Sequence, residues 1–169
     1  MSQTTIHGWP VLAASDPALR LFGIPGCKGR SMRLRKDVGP YLVAFASEYH
    51  ALVEPLTGGT FDDWSWSPLR DGRASNDPSD HCAGVAIDLN AVGSGRQGIR
   101  LTWWLAHPVK YARLRRLLKK YRLLEWGGDY QKFVDPMHFT FKFGVKAGEI
   151  RMQMKALGID SDGRIGKVA

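Results

Sequence analysis

The run His138-Phe139-Thr140-Phe141-Lys142-Phe143 alternates polar and aromatic residues without a break. Side chains alternate across a strand, so this period of two predicts a β-strand with one aromatic and one polar face. Three phenylalanines then face a core, while His138, Thr140 and Lys142 share the opposite face. A second strand is predicted from Val85 to Leu89. If the chain is extended from Gly84 onward, Ala86 and Asp88 point to one face, and Val85, Ile87 and Leu89 to the core. An acidic residue ending an apolar strand is costly unless it is paired or ligating. Two strands of this kind place a histidine and a carboxylate on sheet faces that a cleft can use.

The rest of the chain supplies helices to cover such a sheet. Asp37 is a plausible N-cap and Pro40 fits the first turn of a helix. Leu42, Val43, Phe45, Ala46, Tyr49 and Val53 follow at helical spacing, and the helix is expected to stop before Pro55. A second helix is predicted from about Pro108 to Arg122. Tyr111, Leu114, Leu117, Leu118 and Tyr121 form its apolar face, and Lys110, Arg113, Arg115, Arg116, Lys119 and Lys120 its basic one. Short strands are expected over Met32–Arg35 and Leu123–Trp126, and a short helix over Glu149–Leu157. Residues 1–30 read as irregular, with turn signals at Gly8-Trp9-Pro10 and Gly23-Ile24-Pro25-Gly26. Residues 56–80 read as a long loop holding Trp64, Trp66, Arg70 and Arg73, and long loops in compact domains are often functional. The expected fold class is α+β: a small antiparallel sheet packed with two to three helices. Residues 1–157 are expected to form one domain and residues 158–169 a flexible tail.

Composition narrows the classes. At 169 residues, 44% hydrophobic and 24% charged, the chain suits one globular domain with a sizeable core. Cys27 and Cys82 are too few for a disulfide scaffold and are expected as reduced thiols. No basic start followed by an apolar run marks a secretory signal, and no apolar stretch approaches a membrane span. Synthesis in a cytoplasm is expected, with action outside the membrane requiring some other route of release. The formal charge of +8 draws the chain towards polyanions, of which nucleic acid and an anionic cell wall are two.

Three stretches carry the chemistry: Ser79 to Asp88, Glu125 to Asp129, and Asp135 to His138. They offer two histidines and a carboxylate as ligands, with a further carboxylate three residues before the last histidine. A hydrolytic zinc centre requires such a set: three protein ligands leave a position open for water, and a nearby carboxylate takes the proton. Pro136 stiffens the link between Asp135 and His138. A single histidine beside a strand is more often structural, so the set, rather than any member, carries the reading.

These residues resemble the zinc D-Ala-D-Ala carboxypeptidase family, in its VanY-like and phage endolysin L-alanyl-D-glutamate endopeptidase branch. That pattern is Ser-x-His-x-x-Gly-x-Ala-x-Asp, followed by Asp-x-x-His-Phe. Here it is met by Ser79, His81, Gly84, Ala86 and Asp88, then Asp135, His138 and Phe139. The Trp126-Gly127-Gly128-Asp129 and Asp-Pro-Met-His runs also look like the peptidase domains of actinobacteriophage lysins. The resemblance implies that His81, Asp88 and His138 bind zinc and that Asp135 is the general base. It implies a hedgehog/D-Ala-D-Ala peptidase-like fold and hydrolysis of a peptidoglycan stem-peptide amide, most readily L-Ala–D-Glu. One departure is that Trp66-Ser67-Pro68 stands where relatives carry Tyr-Arg-Pro. Arg70, Arg73 and Ser79 are therefore the candidate substrate contacts.

Two other functions compete. A D,D-carboxypeptidase removing terminal D-Ala would share metal and base. A non-catalytic basic module binding cell wall or nucleic acid is suggested by the Lys110–Arg122 helix, but no nucleic-acid-binding motif accompanies it. Glu125 is the other acid near the site, read as preceding a structural turn. Asp129 is read as ordering that turn or supporting a ligand. Cys82, beside His81, is read as a buried small side chain, or else as a competitor for metal. His7, His50 and His107 lie outside any motif and are read as non-catalytic. The partners expected are peptidoglycan and an anionic wall, with the protein acting as a monomer.

Overall fold

A computed structural model describes residues 3–56, 63–68, 78–91 and 101–166. Its centre is helix α1, Gly39–Leu52, whose residues from Gly39 to Ala46 and Tyr49 are all buried. A helix apolar all round belongs inside a core rather than on its surface. Val38, not Asp37, is the N-cap, and no side chain caps the helix. Asp37 instead accepts a hydrogen bond from Arg35 Nε at 3.3 Å.

Two antiparallel sheets flank this helix. Strands β1 (Leu19–Gly23) and β2 (Ser31–Arg35) pair through the register Leu21↔Arg33. The first of these falls where the sequence reads as irregular. Its middle residue Leu21 is 65% exposed and only Phe22 is buried, so it carries no clear two-residue pattern.

The other sheet carries the site. Strands β3 (Ala86–Asp88), β4 (Leu124–Trp126) and β5 (His138–Phe141) are ordered β3-β5-β4, all antiparallel. Ala86 and Glu125 both lie opposite Thr140, Ile87 and Trp126 opposite Phe139, and Asp88 opposite His138. One face therefore bears Ile87, Leu124, Trp126, Phe139 and Phe141. These rest on α1, with Phe45 4.9 Å from Phe139 and Tyr41 5.8 Å from Phe141 between ring centroids. Removing either phenylalanine ring would cost about 3–5 kcal/mol. The aromatic anchor turns the opposite face, with Asp88, His138, Ala86, Thr140 and Glu125, away from the helix.

Two details of β5 depart from its alternation. The strand ends at Phe141, so Phe143 is 78% exposed instead of joining the core. Thr140 is fully buried on the polar face, its hydroxyl shared between Asp80 Oδ2 at 3.1 Å and the Val85 carbonyl at 3.2 Å.

The remaining helices are α2 (Leu101–Ala106), α3 (Pro108–Lys120) and α4 (Ala147–Ala156). That makes four helices among the described residues, where two to three were expected. Helix α2 is short and fully buries only Trp104, which stacks edge-on against Trp126 at 5.9 Å. The basic face of α3 is partly paired: Lys110 with Glu54, Arg115 with Asp129 and Lys120 with Glu48. Residues 158–166, expected as part of a flexible tail, make contacts with the rest of the chain. Ile159 bridges to Ile165 and is buried, and Arg20 pairs with Asp162. Residues 167–169 lie outside the described residues. Among the described residues no helix is long and apolar enough to cross a membrane.

Candidate metal centre and active site

A four-residue 3-10 turn, Asp80–Ala83, presents His81. Ser79 is its N-cap, its hydroxyl accepting the His81 N–H at 3.4 Å. Gly84 ends the turn in the left-handed region, with φ of 67°. A Cβ there would lie 2.9 Å from both the Arg35 nitrogen and Leu19 Cδ2. The motif glycine therefore serves packing against β1 and β2 rather than clearance beside a metal. The chain then enters β3 and delivers Asp88 beside His138 of β5.

His81 Nε2 lies 3.2 Å from Asp88 Oδ1 and 3.2 Å from His138 Nδ1, and His138 Nδ1 lies 2.9 Å from Asp88 Oδ1. His81 Nδ1 donates to the Ser65 carbonyl at 2.6 Å. A carbonyl can only accept, so the Nδ1 proton is committed and the lone pair of neutral His81 sits on Nε2. The lone pairs of His81 Nε2 and Asp88 Oδ1 thus converge with His138 Nδ1 on one point, where a proton or a cation must lie between them. Bonds of about 2.0–2.1 Å in tetrahedral geometry would separate such ligands by roughly 3.4 Å, close to the observed spacing. The group fits a metal ion of the zinc type, and a carbonyl fixing the second ring nitrogen is the usual support for a ligating histidine.

The electrostatics agree. Burial raises the Asp88 carboxyl, but hydrogen bonds and charge from His138 and His81 outweigh it and hold it well below the usual carboxylate range. Burial lowers His81, but the hydrogen bond and charge of Asp88, the Ser65 carbonyl and the Asp80 charge together outweigh it and raise the imidazole. Asp135 stands outside the converging trio. Burial and the nearby Asp88 charge push its carboxyl up, against the charges of His138 and His81. A bound divalent cation would pull it back down.

The Trp-Gly-Gly run explains how Asp135 is seated. The Asp135 N–H donates to the Gly127 carbonyl at 2.9 Å, and Trp126 Nε1 donates to the Pro136 carbonyl at 2.7 Å. A Cβ on Gly127 would lie 2.2 Å from the Asp135 carbonyl oxygen, so only glycine allows this approach. Asp129 contacts no ligand: it is exposed and accepts from Arg115 at 2.6 and 2.8 Å.

Sequence reasoning missed several supports. Within the stretch read as a loop, Trp64 and Asp88 exchange backbone hydrogen bonds at 2.9 Å and Trp66 N–H donates to the Arg33 carbonyl, which places the Ser65 carbonyl on His81. A backbone acceptor leaves no sequence signal. His7 lies against Asp80 and Glu125, although the segment around it reads as irregular. Asp80 is 1% exposed, and an acid beside a motif histidine was the one available cue. His50 accepts the Leu56 N–H and His107 stacks on Trp103, both in packing roles. Cys27 and Cys82 are free, buried thiols, and Cys82 is not part of the converging group. Arg70 and Arg73 lie outside the described residues.

The family model for D-alanyl-D-alanine carboxypeptidase matches residues 73–141, a segment holding His81, Asp88, Asp135 and His138. This bears out the resemblance to the VanY-like D-Ala-D-Ala carboxypeptidase family, a family of peptidases. The chain is also similar to the crystal structure of Serratia marcescens L-Ala D-Glu endopeptidase ChiX. Identity is 20% over 65% of this chain and 81% of that one, with a TM-score of 0.39. No curated protein matches.

Proposed function

We propose that this protein is a zinc-dependent peptidoglycan peptidase that hydrolyses a stem-peptide amide bond, L-Ala–D-Glu in the first instance. The observation that carries the reading is the convergence of His81 Nε2, Asp88 Oδ1 and His138 Nδ1 inside the segment matched by a peptidase family. The choice of bond rests on the Asp-Pro-Met-His and Trp-Gly-Gly-Asp runs, which resemble those of phage lysins.

In this reading His81, Asp88 and His138 are the metal ligands. Zinc held there supplies a Lewis acid for the scissile carbonyl and lowers the pKa of water. Asp135 takes the proton of the attacking water on its carboxylate and delivers it to the leaving amine nitrogen. Its seat against Gly127 holds the carboxylate in place for both transfers. The Ser65 carbonyl keeps His81 in the tautomer that ligates. Arg70, Arg73 and Ser79 remain the candidate contacts to substrate. Residues 1–157 act as one peptidase domain, a monomer and an endolysin in origin. Arg116 and Lys119, on the α3 basic face and without an ion pair among the described residues, attract the anionic wall.

Muropeptide mass spectrometry after digestion of defined peptidoglycan tests the reading. Free L-Ala termini are expected. Loss of terminal D-Ala alone would identify a D,D-carboxypeptidase, the alternative favoured by the description of the matched family. Intact stem peptides from a zinc-loaded sample would refute cleavage.

A further inference from the structure

Residues 3–12 cross the site's flank in a fixed path. Ile6 N–H donates to the Pro78 carbonyl at 3.2 Å and Leu12 N–H to the Cys82 carbonyl at 2.9 Å. The segment is thereby registered against both ends of the turn that carries His81. Between these anchors His7 extends over the polar sheet face, its side chain 10% exposed. Its Nδ1 donates to Asp80 Oδ2 at 2.5 Å, and its Nε2 lies 3.3 Å from Glu125 Oε1. Glu125 also accepts the Tyr130 hydroxyl at 2.7 Å.

Two ionised carboxylates can only accept, so an imidazole facing one with each nitrogen must carry both protons. Besides His7 Nδ1, Asp80 is held by the Thr140 hydroxyl and the Thr5 side chain, of which only His7 can bring a positive charge. Asp80 sits on the 3-10 turn and Glu125 on β4. Without a cation between them, two like charges would face each other across the join of those elements, the Asp80 one buried and the Glu125 one partly exposed. His81 follows Asp80 directly.

We propose that His7 is a positioning residue of the site: as an imidazolium it clasps Asp80 to Glu125 and so holds the turn that aims His81. The proposal rests on the reading of His81 as a metal ligand. The hydrogen bonds to Asp80 and then Glu125 raise His7 to about 9, against burial, in keeping with a permanent charge near neutrality.

The test measures zinc affinity of the full chain by chelator competition, not turnover. His7→Gln is expected to weaken zinc binding roughly tenfold or more, the usual scale for groups behind a ligand. Adding Glu125→Gln to His7→Gln removes the like charge facing Asp80, and an amide can donate to the Asp80 carboxylate in place of the repulsion, so affinity is expected to recover at least several-fold from the single variant. A packing role predicts that the double variant is no better than the single one, and that result would overturn the proposal, as would unchanged affinity in His7→Gln. If His7→Gln does not fold, imidazole nitrogen NMR of the unaltered protein decides. Two protonated nitrogens on His7 at neutral pH support the clasp, and a neutral ring overturns it. Zinc binding without peptide cleavage would refute the proposed function and leave the clasp standing. A parent chain that binds no zinc would refute the ligand reading, with the NMR result then deciding His7.

Discussion

The polar face of the β3-β5-β4 sheet has two ends built from the same residue types and put to opposite uses. At one end His81 Nε2, His138 Nδ1 and Asp88 Oδ1 face one another at 2.9–3.2 Å. At the other, His7 stands between Asp80 and Glu125 with both nitrogens engaged. Thr140 lies between them. The first end offers its ligand atoms to a cation, and at the second the proposed His7 imidazolium is itself the cation. Histidine and carboxylate at suitable spacing are therefore not enough to define a metal site. What matters is whether the imidazole protons are already committed elsewhere, as the Ser65 carbonyl commits that of His81.

The sharpest way to break the contrast is at the first end. Asp88→Asn is expected to abolish zinc retention and cleavage together, because an amide gives up the charge that balances the metal. Metal analysis after dialysis checks it, and full zinc occupancy would remove Asp88 from the ligand set. Asp135→Asn separates chemistry from binding. Turnover should fall about 10²–10⁴-fold, the usual contribution of a general base, with zinc stoichiometry unchanged. Lysis kept intact by this variant would end the base assignment.

Gly127→Ala probes the seat rather than the carboxylate. Forcing a methyl group against the Asp135 carbonyl should cost about 1–3 kcal/mol in thermal unfolding and lower turnover as well. An unchanged midpoint would show that the loop has room to yield.

The second end should declare itself through pH. His7 is raised from its ordinary value of 6.5 to about 9 in the folded chain. Its contribution to stability is then complete below about pH 6.5 and lost as pH rises through about 9. Thermal midpoints from about pH 6 to about pH 10 should fall over that window in the parent and fall less in His7→Gln. The smallest effect is expected from salt. Three of the six cations on α3 are already paired within the protein, so wall binding should weaken only modestly as ionic strength rises.

The two ends also differ in how far they can be read from sequence. His138 and Asp88 are legible because strand alternation assigns their faces, and the aromatic residues between them assign the core. The long helices are legible for the same reason, their periods being sustained. The ends of elements are not: Phe143 continues the alternation of β5 beyond the last paired residue. The clasp is hidden for a different reason. His7 lies more than seventy residues from its Asp80 partner, in a segment held by backbone hydrogen bonds and not by side-chain pattern. Gly127 was visible as part of a turn, but its need became clear only once Asp135 was packed against it.

The most direct measurement is an anomalous difference map at the zinc edge from crystals grown with zinc. One peak is predicted at about 2.0–2.2 Å from His81 Nε2, His138 Nδ1 and Asp88 Oδ1, with none beside His7. A peak between His7, Asp80 and Glu125, or no peak among the first three residues, would contradict the account.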